Sequence, residues 1–133
     1  MSTLCITNQK GGVGKTTTAI SLGAALAQAG SRVLIVDLDP QGNATSGLGI
    51  RRQDIERGVY GVLLHDQPLA DAIRPTSVDG LDLLTSTQEM AGAEVELVPA
   101  LAREYRLRTA LEAARYDTIL IDCPPSLGLL TIN

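Results

Sequence analysis

The chain has 133 residues, is 44% hydrophobic and carries a net charge of −4, so it is about one domain long and has material for a real core. That acidic balance argues against a general nucleic-acid binder acting through this segment alone, and no apolar stretch approaches the roughly 18–20 residues that cross a bilayer. Met1 is followed by neither a basic n-region nor an apolar signal core, so secretion is not indicated and no membrane association is expected.

In chain order, the apolar run Leu4-Cys5-Ile6 reads as a first strand, and Lys10-Gly11-Gly12-Val13-Gly14-Lys15-Thr16-Thr17 as a glycine-rich loop opening a helix. Thr17 to Ala29 is small and apolar on nearly every side, which predicts a helix packed against a sheet and ended by Gly30. Val33-Leu34-Ile35-Val36 is continuous, as for a parallel strand covered on both faces, and delivers Asp37 and Asp39 at its end. Pro40 to Gly58, dotted with Gly42, Gly47 and Gly49, is the longest irregular stretch; Arg51, Arg52 and Arg57 within it read as a solvated loop. Weaker helices are expected near 61–65 and 88–98, and His65 beside Asp66 reads as a surface turn residue.

A short strand around Ala72-Ile73-Arg74 is stopped by Pro75, and Leu81-Asp82-Leu83-Leu84 forms another. Leu101 to Arg115 is amphipathic, with Leu107, Leu111 and Ala114 on one face and Glu104 and Arg108 four apart on the wet side. Ile119-Leu120-Ile121 repeats the buried-strand pattern and ends in Asp122. Cys5 and Cys123 lack partners at ligand spacing and read as reduced, buried thiols. Strands alternating with helices imply an α/β fold with a mainly parallel sheet flanked by helices, with residues 1–133 lying within a single domain.

The strand–loop–helix order is the one a phosphate-binding loop needs. Gly11, Gly12 and Gly14 remove side chains that would keep backbone N–H groups from closing around phosphate oxygens. The helix start adds unpaired N–H groups and a positive dipole end. Lys15 can reach the β- and γ-phosphates of ATP, and the Thr16 hydroxyl can ligate Mg²⁺. The general pattern would place glycine at position 9; this chain has Gln9, and it adds Lys10. Asp122 stands where a Walker B aspartate holds Mg²⁺ or its waters, and Asp37, Asp39 and Asp122 are expected on the sheet edge that carries the loop.

Lys10–Thr17, Asp37-Leu38-Asp39-Pro40-Gln41-Gly42-Asn43 and Ile119–Gly128 together resemble the ParA/MinD group of deviant Walker A P-loop ATPases, most closely the ParA branch of chromosome and plasmid partition ATPases. The resemblance implies a nucleotide-sandwich homodimer formed with ATP, in which Lys10 reaches the partner's phosphates and Lys10 through Thr17 bind nucleotide. It implies that Asp39 positions the attacking water, that Thr16 and Asp122 serve the metal, and that Cys123–Gly128 senses the γ-phosphate. It also implies a ParB-type centromere-binding partner that stimulates hydrolysis, and a cytoplasmic protein that joins the nucleoid when ATP-bound. Family members are longer. Their remaining part carries further strands, the adenine pocket and the residues that bind DNA without sequence preference, so this chain matches the N-terminal part of the domain. A MinD-like membrane-cycling ATPase and a nucleotide binder without turnover are the alternatives. An iron–sulfur ATPase like the nitrogenase iron protein is disfavoured, because Cys5 lies inside the first strand.

Overall fold

Strands β1 (Ser2–Ile6), β2 (Val33–Asp37), β3 (Ile73–Pro75), β4 (Leu81–Leu84) and β5 (Thr118–Asp122) belong to a five-stranded sheet in the spatial order β1-β5-β2-β4-β3. The computed structural model describes residues 2–6, 14–37, 43–50, 58, 62, 68–85 and 115–122. Pairs β1–β5, β5–β2 and β2–β4 are parallel, while β3 pairs antiparallel with β4 at the edge, where Pro75 costs the sheet no interior hydrogen bond. The strands follow the apolar runs of the sequence, each within a residue or two.

The register levels one edge of the sheet. Ile6 is paired with Asp122, and Asp122 with Asp37, so the carboxyl ends of β1, β5 and β2 stand side by side. The chain passes from β1 through helix α1 (Gly14–Gln28) to β2, two places away in the sheet, and β5 fills the place between them.

Val33, Leu34, Ile35 and Val36 are all fully buried although alternate residues point to opposite faces, so both faces of β2 are covered. On the α1 face, Val33, Ile35, Leu81, Leu83 and Leu120 form a continuous core with Ala27. Helix α1 meets this core through Ala19, Gly23 and Ala27, one residue every fourth position. A Cβ on Gly23 would stand 3.1 Å from Leu81 Cδ1 and 3.2 Å from Ile35 Cδ1, so glycine lets the helix lie this close to the sheet. The burial of α1 is one-sided: Ser21, Leu22 and Ala25 are exposed, Leu22 to 37%. An apolar surface all round the helix therefore overstated its burial, because small residues can face water at little cost.

α1 also starts earlier than its apolar pattern, at Gly14, and ends at Gln28 rather than Ala29. Its end is a Schellman motif. Gly30 takes φ +100°, its N–H donates to Ala27 O at 3.0 Å, and the Ser31 N–H donates to Leu26 O at 3.1 Å. Within the stretch read as irregular lies a short helix, α2 (Asn43–Gly47), closed by the same motif at Gly49. A one-turn helix, α3 (Leu69–Ala72), follows Pro68 and runs straight into β3. Arg115 lies outside any helix; the rest of the predicted helix from Leu101, and the predicted helix over 88–98, lie outside the described residues, as does that near 61–65 apart from Val62.

Candidate nucleotide-binding site

Polar side chains are scarce in this core, and their positions are not scattered. Asp37, Thr45, Thr85 and Asp122 are each fully buried. Asp37 ends β2, Asp122 ends β5, Thr85 directly follows β4, and Thr45 lies in α2. All four gather at the carboxyl edge of the parallel strands, where α/β sheets open their ligand crevices.

The pleat fixes which face they use. Ile35 and Leu120 are register partners and both approach Gly23 of α1. Asp37 and Asp122 lie two residues further along and are also partners, so both carboxylates are on the α1 face. Helix α1 packs against β2 and β5, and its first turn is Gly14-Lys15-Thr16-Thr17. A helix after a parallel strand starts at the strand's carboxyl end, so the backbone of Lys15 and Thr16 stands at the edge that carries both aspartates. Two carboxylates side by side in a dry place repel, which makes a cation or hydrogen-bond donors their natural partners.

One set of donors is visible. The Thr45 N–H donates to Asp37 Oδ2 at 2.9 Å, and the Thr45 hydroxyl donates to the same oxygen at 2.6 Å. Asp37 thus satisfies an N–H in the first turn of α2, one of the donors a helix leaves without an internal partner. Among the described residues, no group of three His, Cys, Asp or Glu side chains is placed to hold a metal. Mg²⁺ needs no such cage beside a nucleotide, since one or two carboxylates, phosphate oxygens and water complete its octahedron. The donor chemistry at Asp122 fits that requirement.

Of the residues singled out in the sequence, the structure brings the backbone of Gly14, Lys15 and Thr16, with Thr17, to the same edge as Asp122. Lys10, Gly11, Gly12, Val13, Asp39 and Cys123–Gly128 lie outside the described residues. Thr45 and Thr85 escaped the sequence reading. Thr45, after an Asp-Pro turn, and Thr85, just past the last residue of β4, look like ordinary loop residues, and their burial shows only in three dimensions.

The AAA domain family matches residues 1–133. The chain belongs to that family. It is 61% identical over 132 residues to the sporulation initiation inhibitor protein Soj of Bacillus subtilis, covering 98% of this chain and 52% of Soj. It is 58% identical over 132 residues to the chromosome partitioning protein ParA of Myxococcus xanthus, covering 98% of this chain and 47% of that protein. The resemblance to ParA-type ATPases read from the motifs therefore holds, and the chain spans about half the length of these relatives. Among solved structures, cobyrinic acid a,c-diamide synthase from Mycobacterium smegmatis with bound ATP analogue and magnesium superposes with a TM-score of 0.89 at 47% identity, over 100% of this chain and 55% of that one. The fold is accordingly that of a P-loop ATPase with a mainly parallel sheet, matched over its N-terminal half.

Proposed function

We propose that this chain binds ATP with Mg²⁺ at the carboxyl edge of its sheet, and that the full-length protein is an ATP-hydrolysing dimerisation switch in chromosome or plasmid partition. The observation that carries this reading is the level placement of Ile6, Asp122 and Asp37 beside the first turn of α1. The partition role is supported by the Soj and ParA relatives, which are more similar in sequence than the synthase.

In this reading the backbone N–H groups of Gly11 through Thr17 surround the phosphates, and Lys15 neutralises β- and γ-oxygens. Thr16 and Asp122 hold Mg²⁺, which when bound offsets charge on the phosphates. Asp39 orients the attacking water. Lys10 reaches the γ-phosphate held by the partner protomer, where a second cation stabilises charge spread over the equatorial oxygens. Because that cation arrives only with the partner, hydrolysis is tied to dimerisation. A ParB-type protein would stimulate turnover, and DNA contacts are assigned to the part of the full-length relatives beyond the matched half. The proposed compartment is the cytoplasm, on the nucleoid in the ATP state; among the described residues no helix is long and apolar enough to cross a membrane.

Lys10→Ala in the full-length protein tests the switch. Monomer affinity for ATP should survive, while ATP-dependent dimers in light scattering and ATP turnover should both fall. Normal dimers with normal turnover would refute the assignment.

A further inference from the structure

We infer that Asp37 and Thr45 form a latch that fixes both ends of segment 38–44, and that Asp37 is thereby a positioning residue for Asp39. The inference rests on the proposed role of Asp39 in orienting water.

The two partners are eight positions apart and both fully buried. Everything between them, Asp39 included, leaves from the end of β2 and returns to α2. The β2 end is anchored in the centre of the sheet, with β5 on one side and β4 on the other. The α2 end is anchored separately. Ala44 is a member of the main core, and a Cβ on Gly47 would meet Ile20 Cδ1 of α1 at 2.7 Å. Asp37 Oδ2 joins these two anchors through two short bonds from one residue. Holding the two anchors in a fixed relation is how this bond would bear on a group carried between them.

Stability alone gives little reason for this arrangement. A buried carboxylate is costly even when well bonded, and an apolar residue of similar volume is often as stable. Valine has nearly the shape of Thr45 and would fill its place without a hydroxyl. The latch also explains the spacing: α2 contacts α1, whose first turn carries Lys15 and Thr16, so one oxygen of Asp37 couples the strand end to the helix beside the phosphate site.

The test uses Thr45→Val, Thr45→Ser and Asp37→Asn in the full-length protein, with Asp39→Ala in parallel. Amide hydrogen exchange without nucleotide reads the latch itself. Loss of a charge-assisted bond should speed exchange of peptides covering 38–46 by about tenfold in Thr45→Val, while β4 is unaffected. At saturating ATP, single-turnover hydrolysis should fall by about tenfold or more with ATP affinity within about threefold, and Thr45→Ser should restore both readouts. Asp37→Asn, which keeps the side chain's shape, should give an intermediate effect and serves if Thr45→Val does not fold. Unchanged exchange over 38–46 overturns the latch. Faster exchange with a normal hydrolysis rate, while Asp39→Ala is slow, overturns the positioning role. A normal rate in Asp39→Ala is a different failure, that of the water-orienting role on which the inference rests.

Discussion

The two ends of the parallel sheet handle polar side chains in opposite ways. At the amino end, Arg32, Asp82, Tyr116 and Asp117 sit around the starts of β2, β4 and β5, where water reaches most of them. The Arg32 N–H donates to Asp117 Oδ2 at 2.8 Å, and the Asp117 N–H returns a bond to Arg32 O at 2.8 Å. The Tyr116 hydroxyl donates to Asp82 Oδ2 at 2.7 Å, and Arg32 Cζ lies 5.2 Å from the centre of the Tyr116 ring. Such contacts tie the starts of neighbouring strands together and are worth about 1 kcal/mol each or less. At the carboxyl end, Asp37 and Asp122 are wholly removed from water and placed side by side. One end fastens the fold; the other stores charge where only a ligand or a dedicated donor justifies the cost.

If that division is right, variants at the two ends should separate binding from stability. The largest effect belongs to Lys15→Ala at the carboxyl end. Two lost charge-assisted contacts should weaken ATP binding by roughly 100-fold or more, with little change in the melting temperature of the nucleotide-free protein. Unchanged affinity by calorimetry would show that the carboxyl edge does not hold the phosphates through Lys15.

Gly23→Val comes next, because α1 spans the distance between the ends. The new side chain would press on Leu81, Ile35 and Leu120, and overpacking should cost about 2 kcal/mol. Thermal unfolding measures that loss. A stable variant would mean that α1 does not depend on its close approach to the sheet.

The smallest effects are at the amino end. Tyr116→Phe removes one hydrogen bond and should lower stability by about 1 kcal/mol without altering ATP affinity. Burial first, and then the bond to Asp82, raise the Tyr116 hydroxyl above the usual phenol range. A group whose folded pKa is raised contributes its full stability below its unfolded value, near pH about 10, and loses it as pH climbs further. Wild-type melting should therefore fall more steeply than that of Tyr116→Phe above about pH 10. Parallel curves would show that Tyr116 plays no part in the alkaline loss.

Much of this was legible in the sequence. The buried strands announced themselves because parallel strands covered on both faces are unbroken apolar runs, as at Val33–Val36. Gly30 was legible as a helix stop because its φ is one that other residues avoid. Helix α2 was not, since Asn43-Ala44-Thr45-Ser46-Gly47 has no apolar period and too few turns to establish one. The importance of Asp37 was hidden for a related reason: its partner is eight positions away, beyond the reach of any local pattern, and Asp39 is the more conspicuous residue of the Asp-Pro turn. The one-sided burial of α1 was masked by residues too small to distinguish a wet face from a dry one.

The place of β5 has a consequence in time. It pairs with both β1 and β2, yet it is the last of the described strands to be made. Until residue 122 has left the ribosome, β1 and β2 have no strand between them, and their hydrogen-bonding edges stay open. Closing that gap joins residues more than a hundred positions apart, Ser2 with Thr118 among them. Contacts of such high sequence separation form slowly, and exposed apolar strands are open to aggregation while they wait. The nascent chain is therefore vulnerable until β5 emerges, and the same step joins β1 to β2 and brings Asp122 beside Asp37.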